Sequence, residues 1–211
     1  MKLLSSIHSK IIFILFSFYA ATCLPMQAQE RLNSNTFSIM AGISQPLALG
    51  GANLAVTYTT DKLYFEYSHG AFLKYHNSNG VAMTDEEKMQ FETLNVPFST
   101  GGGVGYRFSN NGQIFWELKV HKFEFGGANS PQLEYKTFEM GPALSYRFFV
   151  NGKKSIFFEP VLRYWFTAAV LGNEDFEGNF IQVNKGDGSS FRHRAHEHGF
   201  FFNMSVGVVL K

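Results

Sequence analysis

Apolar and polar residues alternate along most of this chain with a period of two, the spacing that puts successive side chains on opposite faces of a β-strand. One unit of the pattern is written three times. Tyr106-Arg107-Phe108 leads through the polar stretch Ser109-Asn110-Asn111-Gly112-Gln113 into Ile114-Phe115-Trp116-Glu117. Tyr146-Arg147-Phe148 leads through a turn holding Asn151-Gly152 into Ile156-Phe157-Phe158-Glu159. A looser copy runs from Tyr58-Thr59-Thr60 through Asp61-Lys62 to Leu63-Tyr64-Phe65-Glu66. Each reads as a β-hairpin, and such self-similarity names the building block. Three-residue loops at Asn110-Asn111-Gly112 and Asn151-Gly152-Lys153, with a two-residue loop at Asp61-Lys62, set the register. On that register Arg107 lies diagonal to Glu117 and Arg147 diagonal to Glu159, both predicted ion pairs on a common face. Thr59 and Glu66 share a face in the third copy.

Taken in order, the alternation predicts eight antiparallel strands, over 36–44, 53–60, 63–75, 93–108, 114–125, 135–150, 156–170 and 196–210. Residues 46–51 form a short loop. In the loop 76–92, Thr84-Asp85-Glu86-Glu87 reads as a capping box that opens a short helix. The connection 171–195, rich in Gly, Asn, Asp and Ser, is the longest loop. Connections after odd-numbered strands are mostly long, and those after even-numbered strands are tight turns. The expected fold is all-β: an eight-stranded antiparallel up-and-down transmembrane β-barrel with short periplasmic turns and longer extracellular loops.

Alternation alone does not say which face is inside, because a soluble lipocalin-like carrier would turn its apolar face inward. Side-chain size decides it. On strand four, Leu94, Val96, Phe98, Val104 and Tyr106 oppose Asn95, Ser99, Gly101, Gly103, Gly105 and Arg107. The polar face is built of small residues, which fit the narrow inside of eight strands and would weaken a solvated sheet. The bulky aromatic face suits lipid, so it is expected outside.

Composition supports this. The 211 residues carry a net charge of +1, which fits one domain and lacks the basic excess of a nucleic-acid binder. Phe occurs 24 times and aromatics make up 17%, more than a soluble domain of this size readily hides. Residues 1–28 read as a signal peptide: Lys2 and Lys10 make a basic start, residues 11–21 are apolar but too short to span a bilayer, and Ala28-Gln29 is the cleavage point. The barrel domain is then 29–211. The single cysteine, Cys23, falls in the signal segment, so the mature chain has no disulfide. The alternative, Cys23 as a lipidated first residue, follows Ala20-Ala21-Thr22, a poor lipoprotein signal.

Over 36–210 the sequence resembles the small eight-stranded outer-membrane barrels of Gram-negative bacteria, of the OmpA transmembrane-domain and OmpX type. The resemblance lies in strand number, alternation and loop asymmetry. It implies a cell outer-membrane location, insertion by the outer-membrane assembly machinery, and contact with outer-membrane lipid and lipopolysaccharide. Such barrels usually end in an aromatic residue that the machinery recognises, whereas this sequence ends Val208-Val209-Leu210-Lys211.

The predicted inward charges are Glu66, Arg107, Glu117, Lys119, Glu139, Arg147, Glu159 and Arg163, equal in the two signs. Enclosed charges must pair, so a sealed, structural charge cluster is expected, with an open ion path as the alternative. Near the last strand stand His193, His196 and His198. Barrels that modify lipid A carry a histidine and a serine near the outer leaflet, and Ser189, Ser190 and His193 are the residues here that could do so. No nucleophile, base and orienting group are identifiable together, and no metal-ligand spacing recurs. The expectation is a non-enzymatic structural or surface-interaction protein with no cofactor, metal or nucleic acid. A lipid A-modifying enzyme and a soluble periplasmic carrier are the alternatives. His69 and His121 are expected near a membrane interface, and Lys185, Arg192 and Arg194 are candidates for contact with lipid phosphates.

Overall fold

The computed structural model describes residues 35–76, 83, 85–127, 132–150, 152–184, 188–195 and 199–210. The predicted signal segment lies outside them. Seven strands fall before residue 150: β1 (Thr36–Gly42), β2 (Ala52–Thr59), β3 (Leu63–His76), β4 (Thr93–Arg107), β5 (Gly112–Gly126), β6 (Leu133–Tyr146) and the short β7 (Phe148–Phe149). Four follow: β8 (Ile156–Leu171), β9 (Phe180–Asn184), β10 (Ser190–Arg194) and β11 (Gly199–Leu210). Two short helices are α1 (Ser44–Leu49) and α2 (Asp85–Gln90). The long strands pair antiparallel in the order β1, β2, β3, β4, β5, β6, β8, β11, and β11 pairs β1 again, so the sheet is ring-like. β9 and β10 form a separate two-stranded sheet. All-β architecture is what the period-two pattern dictates, because each strand has one face to bury.

That face is the polar one. Phe65, Tyr106, Trp116, Tyr146 and Tyr164 are exposed, whereas Glu66, Glu117, Glu139 and Arg147 are buried. Adjacent residues make the contrast plain: Phe158 is 39% exposed and Glu159 0%. The turns at one end are short. Asp61-Lys62 forms the expected two-residue turn, closed by Thr60 N–H donating to Leu63 O at 2.9 Å. The next turn is Ser109-Asn110-Asn111, one residue earlier than expected, with Phe108 N–H donating to Gly112 O at 3.1 Å and Ser109 Oγ accepting from Gly112 N at 2.7 Å. The third is longer than the expected three residues, since Val150 N–H donates to Ile156 O at 3.0 Å. Asn151 itself lies outside the described residues.

Three expectations are corrected. Residues 44–49 are helical instead of finishing a strand and forming a loop. The segment 171–195 is not one loop: β8 continues to Leu171, and β9 and β10 form a hairpin within the rest. The last strand is described from Gly199, and 196–198, where the pattern starts it, lie outside the described residues. The third correction concerns faces. The β4–β5 register shifts between Asn95 and Ser99, around Pro97, which has no N–H to give the ladder. Opposite it on β3, Phe72 has φ of +59°. Past this kink the parity inverts, and Leu73, Leu94 and Val96 turn inward and are buried, although their spacing matched the outward face. A left-handed φ at a bulky residue costs about 1–2 kcal/mol. Burying each of the three aliphatic side chains returns about 1.5–3 kcal/mol, so the kink is stable.

The inward apolar residues gather at the long-loop end. Leu73, Leu94, Val96, Phe123, Phe125 and Tyr135 from the wall pack with Phe91 beyond α2 and with Ile181, Val183 and Phe191 of the β9–β10 hairpin. A smaller cluster of Met40, Ala55 and Phe157 lies toward the short turns.

Candidate functional site

Between these two apolar ends the ring holds a column of buried polar side chains. At the short-turn end Arg147 Nε donates to Glu159 Oε2 at 2.6 Å and its Nη2 to Thr57 Oγ1 at 2.8 Å. The same guanidinium stands 4.6 Å from the centroid of the Phe157 ring. Tyr64 donates its hydroxyl to Glu66 Oε2 at 2.7 Å. Arg163 joins two carboxylates, with Nε 2.8 Å from Glu117 Oε2 and Nη2 3.4 Å from Glu66 Oε1. Trp165 Nε1 donates to Glu117 Oε2 at 2.9 Å. Lys119 lies 4.0 Å from Glu117 Oε1 and donates to Ser68 Oγ. Higher still, His121 Nε2 is 3.4 Å from Glu139 Oε2, and Thr137 Oγ1 donates to Glu139 Oε1 at 3.0 Å. Carboxylates and cations alternate up the column, as enclosure in a low dielectric requires.

Six of the eight predicted inward charges, Glu66, Glu117, Lys119, Arg147, Glu159 and Arg163, form ion pairs among themselves, and a seventh, Glu139, is buried beside His121. Arg107 does not join them. Register places it opposite Gln113 and places Glu117 opposite Gly103, so the predicted Arg107–Glu117 pair does not form. Half-buried at the turns, Arg107 donates instead to Thr60 O at 2.7 Å and Asn110 O at 2.6 Å, tying two neighbouring hairpins together. The Arg147–Glu159 pair does form, but face to face rather than diagonally, since Ser145↔Val161 and Phe148↔Phe158 bracket it. His121, expected near an interface, is buried beside Glu139. Strand parity could have found it, because His121 follows Glu117 and Lys119 in steps of two. The same parity adds Tyr64 to Glu66 and Trp165 to Arg163. His69 is exposed.

The long-loop end carries a second constellation. Alternation on β10 turns Phe191, His193 and Ala195 inward and leaves Ser190, Arg192 and Arg194 exposed. His193 Nε2 lies 3.1 Å from the Tyr135 hydroxyl, and its Nδ1 lies 3.5 Å from Glu87 Oε1 on α2. Wall, helix and hairpin thus share one buried imidazole, packed edge-on against Phe91 and Phe125. The capping-box spelling pointed to α2, but nothing in the spacing linked Glu87 to a histidine 106 positions later. Ser190 and His193 face opposite ways, with Ser190 Oγ accepting from Gln182 Nε2 at 2.5 Å, so β10 does not assemble them as a pair. Ser189 is exposed. His196, His198 and Lys185 lie outside the described residues. Arg192 and Arg194 stack over the Phe180 ring, 4.1 and 5.8 Å from its centroid. Among the described residues no three His, Cys, Asp or Glu side chains are grouped to hold a metal.

The imidazole has a measurable consequence. His193→Ala leaves the Tyr135 and Glu87 polar groups inside an apolar cluster, at a cost of about 1–3 kcal/mol. Local opening of the β9–β10 hairpin is expected to become at least about fivefold more frequent. Trypsin cleavage after Arg192 and Arg194 under native conditions reads this, and an unchanged rate would show that the imidazole fastens nothing.

The chain matches no protein-family model, no curated protein and no solved structure.

Proposed function

We propose that this protein is a small outer-membrane β-barrel of eight long strands, of the OmpA transmembrane-domain and OmpX type, exported through residues 1–28. Its role is structural or surface-interacting, with recognition in the long connections and no open pore. One observation carries the reading: the exposed face of a ring-like sheet is apolar and aromatic while the enclosed face is charged. A soluble carrier needs the reverse, since exposed Phe, Tyr and Trp around a whole ring have no benefit in water. In a bilayer they cover acyl chains, and where neighbouring strands pair around the ring no unsatisfied backbone faces lipid. Arg192 and Arg194 then stand with the β9–β10 hairpin on the side of outer-leaflet phosphates.

Membrane fractionation together with gel migration before and after boiling tests the reading. Outer-membrane recovery and a boiling-dependent mobility shift are expected, and recovery in the soluble periplasmic fraction would sink it. Charge pairing along the column and apolar packing at both ends also argue for a sealed centre. Purified protein in planar bilayers is expected to give no steady discrete openings. Regular openings of one size would replace the sealed barrel with a channel.

A further inference from the structure

The wall of the ring is uneven, and its outer face changes chemistry with height. On β5 the outward side chains run Ile114, Trp116, Leu118 and Val120, and then Lys122 and Glu124. On β6, taken upward from the short turns, they run Tyr146, Leu144, Pro142, Met140 and Phe138, and then Lys136 and Glu134. Register puts both changes at one level: Val120 lies opposite Phe138, Lys122 opposite Lys136 and Glu124 opposite Glu134. Lys122 bridges the two acids, 2.7 Å from Glu124 and 2.8 Å from Glu134. The inner face changes the other way at the same level. Glu117, Lys119 and His121 on β5 give way to Phe123 and Phe125, and Glu139 and Thr137 on β6 give way to Tyr135 and Leu133, all buried.

β5 and β6 change residue type on unbroken strands, whereas β3 and β4 reach the same state through the kink. Above it Lys74 and Asn95 face outward opposite each other, and Asn95 lies opposite Glu124. One polar line, Lys74, Asn95, Glu124 and Glu134, therefore crosses four strands on the outside. The adjacent line inside is Leu94, Phe125 and Leu133. Leu171 on β8, opposite Lys136, is the apolar exception on the outside. The strands that stop short carry no charge. β1 and β2 have 7 and 8 residues against 14 or 15 in β3, β4, β5 and β6. Residues 36–60, which hold both short strands and α1, contain no Asp, Glu, Lys, Arg or His.

We propose that the outer surface of the bilayer crosses β5 and β6 between the Val120–Phe138 row and the Lys122–Lys136 row. Below that level the ring meets acyl chains. Above it β3, β4, β5 and β6 stand in water as a wall, with α2 and the β9–β10 hairpin packed on the inner face. An apolar inner face and a charged outer one is the pattern of an antiparallel sheet in water, the reverse of the pattern below. A lysine or glutamate that faces hydrocarbon is destabilising, least so at the interface, so the charged line belongs outside the apolar layer. The short strands fit the same level, since β1 and β2 end before any charged row and lie wholly within the apolar band. The partner of this surface is the bilayer, and the placement rests on the membrane reading above.

Paired labels test the boundary. The cysteine-free mature chain takes one cysteine at a time, Leu118→Cys or Met140→Cys below the level and Glu124→Cys or Glu134→Cys above it. Leu118 and Met140 are cross-strand partners, as are Glu124 and Glu134, and each acidic replacement leaves Lys122 its other acid. A nitroxide is attached to each, and the protein is placed in phosphatidylcholine vesicles. Power saturation compares collisions with oxygen, which concentrates in hydrocarbon, and with a nickel chelate, which stays in water. Oxygen is expected to dominate at Leu118 and Met140 and the chelate at Glu124 and Glu134. Oxygen dominance at Glu124 or Glu134, with Leu118 and Met140 also in lipid, would overturn the boundary and leave the membrane reading standing. Chelate dominance at Leu118 or Met140 would overturn the membrane reading itself.

Discussion

Replacing Arg163 with methionine is expected to remove about 3–5 kcal/mol of folding stability, the range for stripping one partner from a buried ion pair. Arg163 serves two carboxylates, Glu117 at 2.8 Å and Glu66 at 3.4 Å, both on buried side chains. Its loss strands negative charge in a space that water does not readily reach. Glu66 keeps the Tyr64 hydroxyl, and Glu117 keeps the Trp165 N–H and the Lys119 ammonium at 4.0 Å, but one cation does not offset two charges. Adding Glu117→Gln to Arg163→Met is expected to return part of the loss, because only one stranded carboxylate then remains. Urea unfolding of protein refolded in detergent, read by the boiling-dependent gel shift, measures both variants. A loss below about 1 kcal/mol would put Arg163 at the value of a surface pair and sink the picture of a dry, paired column.

Gly141→Ala is the second large effect, although it adds a single methyl. A Cβ at this position would stand 1.8 Å from Tyr164 O, a backbone atom of the neighbouring strand β8. No side-chain rotation relieves that clash, so β6 and β8 must separate where Arg163 and Trp165 enter the column. Overpacking of this kind costs about 1–3 kcal/mol, and more where only backbone can yield. A loss on the order of 3 kcal/mol and slower refolding are expected. Gly152→Ala is the control, since a Cβ there meets no atom within 4 Å and stability should not change. Equal behaviour of the two variants would show that β6 and β8 tolerate separation. Gly101, Gly105 and Gly141 are thus required by the approach of neighbouring backbone, a Cβ at Gly101 lying 2.0 Å from Leu118 O, whereas at Gly103 and Gly207 it would meet the Phe115 and Phe157 rings.

Much of this protein can be read from spelling alone, because a period of two is a local property. Alternation places each strand, and side-chain size says that glycine and charge go in while Phe and Tyr go out. Seven of eight inward charges follow from parity without any knowledge of contacts. Partnership is different, because it depends on register between strands. Arg107 and Glu117 have the right parity and the wrong register, and one turn placed a residue earlier is enough to mislead. Parity itself fails where the backbone leaves the strand region. The kink at Phe72 and Pro97 turns Leu73, Leu94 and Val96 inward, and a positive φ at phenylalanine has no sequence signature.

The contacts that close the molecule lie further from reach. Glu87, Tyr135 and His193 are brought together by three segments whose separation in the chain carries no pairing signal. The uneven wall follows from β1 and β2 having only 7 and 8 residues, which a helix at 44–49, in place of a strand end and a loop, conceals. Local chemistry settles which side of each strand is polar and which is apolar. Which side chains then touch is settled by ring closure, because only closure sets the height of one strand against the next.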